Sequence, residues 1–256
     1  DEGVAYLETM SPVDCIFLDP ARRNEHGGKT VAISDCEPNV AELEGLLLSK
    51  ANRIMIKLSP MLDLSQALKE LPHTQEVHII SVNNECKELL LLLGQTAPEE
   101  IPVHCVNLST KGEQEKQLFV FTREQEQHSE CSYTDTLGNY LYEPNASLLK
   151  AGAFRSIAAA YSVKKLHPNS HLYTSDTQIE GFPGRTFRII NRCSLNKKEI
   201  KENLSDLKKA NITVRNFPAT VAELRKRIKL AEGGDTYLFA STLNDGQKIL
   251  IRCGKV

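Results

Sequence analysis

The chain has 256 residues, 41% of them hydrophobic and 25% charged, and a formal net charge of −2, the make-up of an ordinary soluble globular protein. It holds no apolar run near the roughly 18 residues that a membrane span needs, and the start, "DEGVAYLETM", has neither a basic nor an apolar leader region, so a cytoplasmic protein is expected. Seven scattered cysteines without a C-x-x-C pair suggest neither a disulfide framework nor a zinc site; reduced, structural thiols are expected.

Domains usually run about 100 to 150 residues, so two are expected. Charge divides the chain in the same sense. Residues 1 to 125 hold 11 Lys+Arg against 20 Asp+Glu, residues 126 to 184 hold 4 against 6, and residues 185 to 256 hold 16 against 7. An acidic first part joined to a basic end suggests that the second domain meets a polyanion. The alternative is ordinary variation in surface charge.

The first half alternates strand and helix patterns. "CIFL" (15 to 18) reads as a short buried strand that ends on Asp19-Pro20-Ala21-Arg22-Arg23. A buried parallel strand that stops on a carboxylate, with proline making the turn, presents that carboxylate at the edge of an α/β sheet. "NVAELEGLLLS" predicts a helix capped by Asn39, with Glu42 three residues on and Val40, Leu43, Leu46 and Leu47 on one face. "RIMIKLS" is a second strand, "DLSQALKELP" a helix capped by Asp63, and "EVHIISV" a third strand. The continuous apolar run in "ECKELLLLLG" fits helix and strand alike; "VHCVNL" and "QLFVFT" read as an antiparallel finish. Repeated β-α units imply a parallel sheet with sites at the strand carboxyl ends. No G-x-G-x-x-G or P-loop is present, so the chain reads as a fragment that begins inside its first domain.

The second half opens on "YLYEPNASLLKAGAFRSIAAAYSV", read as a helix-entry turn followed by one helix with a broad apolar face, and then the loop "HPNSHLYTSD". A strand "TFRIINRC", a helix over 197–209, a strand "ITVRNF", a helix over 220–231 and a hairpin around "LNDG" follow. Ile200, Leu204 and Leu207, and then Val221, Leu224 and Ile228, are expected inward, with Arg225, Lys226, Arg227 and Lys229 outside. The boundary is placed in the polar stretch "REQEQHSECSYTD", giving domains 1–127 and 128–256.

At Asp19-Pro20-Ala21-Arg22 the chain resembles the class I S-adenosylmethionine-dependent methyltransferases, in which an acidic or Asn residue plus Pro follows the fourth strand and lines the methyl-acceptor pocket. "YLETMSPVDCIFLDPARR", "ECKELLLLLG", "NYLYEPNASLLKAGAF" and the basic tail are similar to a bacterial group that joins such a domain to a C-terminal THUMP-like domain. The resemblance implies the carboxyl half of a Rossmann-like methyltransferase sheet followed by a small α/β, RNA-binding module. It also implies S-adenosylmethionine as cofactor of the intact protein and tRNA or rRNA as partner. Strands four, five and six would be "CIFLD", "RIMIKLS" and "EVHIISV"; of the cofactor site only Asp1 or Glu2 would remain, so the fragment alone is expected to be inactive.

On this reading Asp19, Pro20, Ala21 and Arg22 are the catalytic positions, with Asp19 accepting a hydrogen bond from the acceptor base or orienting its nucleophilic nitrogen and Pro20 fixing the backbone beside it, while Arg23, Ser59 and Pro60 line the substrate pocket. Asp19 as a turn cap, and Arg22 and Arg23 as ion-pair partners of Glu25 or Asp35, are the structural alternatives. Arg22 stands where many exocyclic-amine methyltransferases place an aromatic, and its guanidinium can stack on a base or pair with phosphate. Asp-Pro-x-Arg also occurs in uracil C5-methyltransferases, whose chemistry needs a cysteine nucleophile. This chain has Ser59 in that stretch, with Cys36 and Cys86 distant in sequence, so C5 chemistry is disfavoured. Lys57 is expected to snorkel or to be ion-paired. His167 and His171 flank Pro168 in a loop, so a helical metal pair is not expected. Tyr142-Glu143-Pro144-Asn145 is either a helix-entry turn or an interdomain or RNA contact. Lys197, Lys198, Lys201, Lys208, Lys209, Arg215, Arg225, Lys226, Arg227 and Lys229 form either two solvated helix faces or a phosphate-binding surface. The alternative to an enzyme is a nucleic-acid-binding or scaffold protein with a degenerate catalytic sheet.

Overall fold

The computed structural model describes residues 2–22, 32–110 and 116–256, and the chain divides into two units. Unit 1 comprises Asp1–His128 and Ala146–Ala153; unit 2 comprises Ser129–Asn145 and Phe154–Val256.

Unit 1 begins with α1 (Glu2–Thr9), β1 (Val13–Leu18), β2 (Ala21–Arg22), β3 (Cys36–Glu37), α2 (Val40–Lys50) and β4 (Ala51–Leu58). It continues through α3 (Leu64–Glu70), β5 (Thr74–Val82), β6 (Glu85–Gly94), β7 (Pro102–Leu108), β8 (Lys116–Thr122) and α4 (Arg123–His128). After an excursion into unit 2 it closes with α5 (Ala146–Ala151), packed on β5, β6 and β7. The helix starts follow their caps: Asn39 Oδ1 accepts from the Ala41 amide, and Asp63 Oδ1 from the Gln66 amide.

The six-stranded sheet runs β1-β4-β6-β5-β7-β8. Only β1/β4 and β5/β7 are parallel; the β7/β8 pair is antiparallel as expected, but the parallel run expected from the β-α units is interrupted before it. The ambiguous leucine run is strand β6, inserted antiparallel between β4 and β5. Asn83 and Asn84 cause this: both take positive φ, 51° and 64°, the two-residue turn that folds a strand straight back on its neighbour. Leu89, Leu91 and Leu93 are buried on one face, with Leu90 and Leu92 half-buried on the other, so apolar residues on both faces erase the period of two.

β1 is not a buried strand. It pairs only with β4 among the described residues, and Phe17 is 58% exposed and Val13 42%. An apolar edge strand with an unpaired backbone invites a further strand.

Unit 2 contains β9 (Tyr140–Pro144), α6 (Phe154–Tyr161), β10 (Lys164–Lys165), β11 (Tyr173–Ser175), β12 (Gly184–Cys193) and α7 (Lys197–Leu204). It ends with β13 (Asn211–Arg215), α8 (Val221–Ile228), β14 (Thr236–Thr242) and β15 (Lys248–Lys255). Its seven-stranded sheet runs β10-β11-β9-β12-β15-β14-β13. Leu204 of α7 and Leu224 of α8 pack with Leu238 and Leu250, and the partly buried Ile200, Leu207, Val221 and Ile228 surround them. A second cluster centred on Leu141, Phe187, Phe239 and Ile251 also takes in Leu166, and Leu172 from the segment read as a plain loop.

Two more expectations change. Tyr142-Glu143-Pro144 is strand, not a helix-entry turn, and the long helix after it is two, broken where Gly152 takes φ 76°. The helices read over 197–209 and 220–231 stop at Leu204 and Ile228, so Lys208 and Lys209 lie before β13 and not on a helix. Among the described residues no helix is long and apolar enough to cross a membrane.

One half-buried histidine ties unit 2 to pH. His171 stacks on Phe154 with ring centroids 3.7 Å apart, and burial, with Lys165 and Arg215 adding to it, pushes its pKa down to about 4. The unfolded chain, with an ordinary imidazole near pH 6.5, binds more protons between those two values. Stability therefore falls as pH drops from about 6.5 to about 4, by up to about 3 kcal/mol. His171→Asn should flatten that acid limb, read from urea midpoints at pH 7 and 4.5. An unchanged slope would remove His171 as its source.

Candidate functional site

β1 and β4 run parallel, with Leu18 opposite Ile56, so the segments after them, Asp19-Pro20 and Ser59-Pro60, emerge at the same sheet edge. The carboxyl ends of adjacent parallel strands are where α/β sheets place their sites. The two segments line one pocket of about 260 Å³, together with Cys36, Lys57 and Leu58, and Lys87 and Glu88 of β6. Asp19, Pro20, Ser59 and Pro60 are thus brought together.

Lys57, on β4, forms an ion pair with the Asp19 carboxylate. Asp19 is 53% exposed and Lys57 31% at their side chains, so the pair sits at the mouth, open to a solute. The hydrogen bond that Lys57 donates to Asp19 raises the Lys57 pKa above its ordinary value against a smaller opposing effect of desolvation, which keeps the ammonium charged and the carboxylate oriented. Ser59 Oγ accepts from the Met61 amide at 3.2 Å, and the Ser59 carbonyl accepts from the Leu62 amide at 3.1 Å. Ser59 therefore shapes the turn after β4.

Ala21 pairs with Glu37, and Arg22 with Cys36, in the β2–β3 ribbon. This places Cys36 in the pocket although it is 17 positions from Asp19, correcting the expectation that it lies far away. Its side chain is 2% exposed, which withholds the thiol from a solute. Cys86 is half-buried, with burial raising its pKa. The side chain of Arg22, all of Arg23, and the proposed partner Glu25 lie outside the described residues, as does Asp1; Glu2 opens α1, its side chain likewise undescribed. Asp35, the other named partner, accepts a hydrogen bond from the Ala32 amide at 3.2 Å.

A second, apolar cleft of about 910 Å³ lies between α1, β1 and α2, lined by Tyr6, Leu7, Val13, Ile16, Leu43 and Leu47 among others. It is continuous with the unpaired side of β1.

In unit 2 the basic residues separate into two kinds. Lys197, Lys198, Lys201, Lys208, Lys209, Lys226, Arg227 and Lys229 are exposed, although Lys198 lies 4.0 Å from Glu202 and Arg227 donates to the Leu195 carbonyl at 2.7 Å. Arg225 was expected outside, but it is half-buried, donating to the Ala210 carbonyl at 3.2 Å. Arg215 lies 2.7 Å from the buried Glu143. Arg188 and Arg192 on β12 are exposed; their alternation was visible in "TFRIINRC" but was overlooked beside the helical clusters.

Glu143 was the least expected of these residues. Only 2% exposed at its side chain, it accepts from Arg185 Nε at 2.9 Å as well as holding Arg215. Its neighbour Tyr142 is buried, with its hydroxyl accepting from the Ile179 amide at 2.9 Å. Asn145 is buried too, and its amide donates to the Pro183 carbonyl at 3.1 Å. Tyr142-Glu143-Pro144-Asn145 is therefore an internal brace of unit 2.

No curated protein matches the chain. Residues 140–183 match a ferredoxin-like domain family, and residues 184–255 match a family described as THUMP domain-like. A crystal structure from Porphyromonas gingivalis W83, of a protein named "putative methyltransferase", is similar at 39% identity with a TM-score of 0.88. The similarity covers 100% of this chain and 62% of that one, so the chain spans less than two thirds of its neighbour. The mixed α/β architecture is thus shared with a protein named "putative methyltransferase", and the carboxyl-terminal part matches ferredoxin-like and THUMP domain-like families.

Proposed function

We propose that unit 1 supplies the methyl-acceptor side of an S-adenosylmethionine-dependent methyltransferase and that the THUMP-like region of unit 2 delivers a structured RNA, tRNA or rRNA, to it. The observation that carries this reading is the meeting of Asp19-Pro20 and Ser59-Pro60 at the ends of two adjacent parallel strands, with Lys57 holding the Asp19 carboxylate. The likeness to the Porphyromonas structure supports methyl transfer, and the THUMP-like match with its exposed lysines supports a phosphate-rich partner.

The described residues do not fit the methyl donor. The pocket, at about 260 Å³, falls below the roughly 300–1,000 Å³ of sites for molecules of that class, and among the described residues its lining contains no glycine. On this reading the donor is held by chain that pairs on the free edge of β1, and the residues present act on the acceptor alone. Asp19 would accept a hydrogen bond from an acceptor N–H and so orient the acceptor nitrogen. Pro20 and Pro60 stiffen the two walls, so most of the contribution is positioning. The lysines of α7 and α8 contact phosphate, which fixes register without reading sequence.

The test is transfer of labelled methyl from S-adenosylmethionine to total RNA by the longer protein that contains this chain. Incorporation into RNA, located by mass spectrometry of nucleosides, is expected. RNA binding without incorporation would favour the scaffold reading, and neither would remove both.

A further inference from the structure

Three potential metal ligands stand on one face of the unit 1 sheet, among aliphatic side chains. His78 of β5 and His104 of β7 are direct register partners on parallel strands, and their rings stack with centroids 4.4 Å apart and planes 8° from parallel. Glu76, two residues before His78, shares its face: Glu76 Oε2 lies 3.0 Å from His78 Nε2 and 3.8 Å from His104 Nε2. The cross-strand partners of Glu76, His78 and His104 are Leu92, Leu90 and Val120.

We propose that Glu76, His78 and His104 bind a late first-row divalent cation, zinc above all, through two Nε2 atoms and one carboxylate oxygen. With metal–ligand bonds of about 2.0–2.2 Å, a tetrahedral zinc site sets its donors roughly 3.3 Å apart, and the two measured separations straddle that value, with all three donors within 4.8 Å of one another. Two imidazoles and a carboxylate suit zinc, and rank it above magnesium or calcium, which prefer all-oxygen sets. Register on adjacent parallel strands brings the two imidazoles side by side; their stacked rings turn about χ2 to aim both Nε2 lone pairs at one ion. The side chains are 25% (His104), 26% (His78) and 44% (Glu76) exposed, so the fourth position faces solvent and can take water or another ligand.

The sequence concealed this site. Glu-x-His is a strand spacing rather than the helical or C-x-x-C spacing usually sought, and the third ligand arrives 26 residues later on a strand whose pairing had to be known.

Equilibrium dialysis of the whole chain under reducing conditions against zinc chloride alone tests it. One zinc per chain is expected, with affinity falling by at least about tenfold in H78A and in H104A, less in E76Q, and unchanged in H167A. Imidazole nitrogen resonances of His78 and His104 should shift on zinc addition while the other histidines stay put. These side chains are half-exposed, so the variants should fold, and circular dichroism confirms that. Absence of saturable 1:1 binding, or binding that persists in the H78A-H104A double variant and so belongs to thiols, would overturn the proposal.

Discussion

Glu143→Ala should destabilise unit 2 by about 3 kcal/mol, toward the lower end of the range for breaking a buried ion pair by removing one partner. The carboxylate is 2% exposed, while the arginines it holds are 41% (Arg185) and 36% (Arg215) exposed at their side chains. The guanidinium groups can therefore recover some hydration when it is lost, which sets the effect below a fully interior pair. The two contacts differ. Arg185 Nε makes an aligned hydrogen bond at 2.9 Å, whereas Arg215 Nη2 approaches Oε1 at 2.7 Å without the direction of a hydrogen bond, so it contributes charge more than geometry. Glu143→Gln should retain part of the Arg185 contact and fall between wild type and alanine. A double-mutant cycle should then show larger coupling of Glu143 to Arg185 than to Arg215. The measurement is the urea midpoint of unit 2, followed by near-ultraviolet ellipticity of its tyrosines. Loss under about 1 kcal/mol would mean that the pair only offsets its own desolvation.

The close packing at this brace continues into the backbone. A Cβ placed on Gly184 would lie 2.2 Å from the Glu143 carbonyl oxygen, so β9 and β12 approach each other here as only glycine allows. A glycine after "GFP" reads as turn punctuation, and its role as a contact surface for the residue that bears the carboxylate required the pairing of Gly184 with Pro144.

How much was legible depends on whether the deciding contact was local. The caps of α2 and α3 were readable because each is settled within a few residues. Strand β6 was not, since apolar residues on both faces leave no period, and the Asn83-Asn84 turn that dictates its direction carries no glycine. Cys36 was misplaced because sequence separation stood in for distance until the β2–β3 ribbon folded it back. Arg225 was assigned by helical face alone, yet its stem packs inward while its guanidinium reaches the Ala210 carbonyl. Glu143, with a proline beside it, looked like a turn residue; only its arginines, 42 and 72 positions later, explain its burial.

On the proposed function, Asp19→Ala is expected to lower kcat/KM for methyl transfer by about a hundredfold or more, the scale on which misplacing a reacting atom acts. The carboxylate is half-exposed at the pocket mouth and supports no core packing, so the thermal midpoint should barely move. Asp19→Asn keeps an acceptor oxygen but loses the charge that Lys57 holds, and should retain a minor fraction of the rate. Lys57 is a positioning residue in this account: it acts on the acceptor only through Asp19. Lys57→Met should cost about tenfold, less than loss of the carboxylate itself, and Lys57→Arg should restore most of it. Because the Asp19 hydrogen bond raises the Lys57 pKa, the pair persists through neutral and mildly alkaline pH and is lost only as pH rises through that elevated value. The wild-type rate should therefore show an alkaline limb that Lys57→Arg displaces upward and Lys57→Met abolishes. If Lys57→Met matched wild type in both rate and pH profile, the ion pair would be an incidental surface contact. If Asp19→Ala did so as well, the pocket at the ends of β1 and β4 would not be the acceptor site.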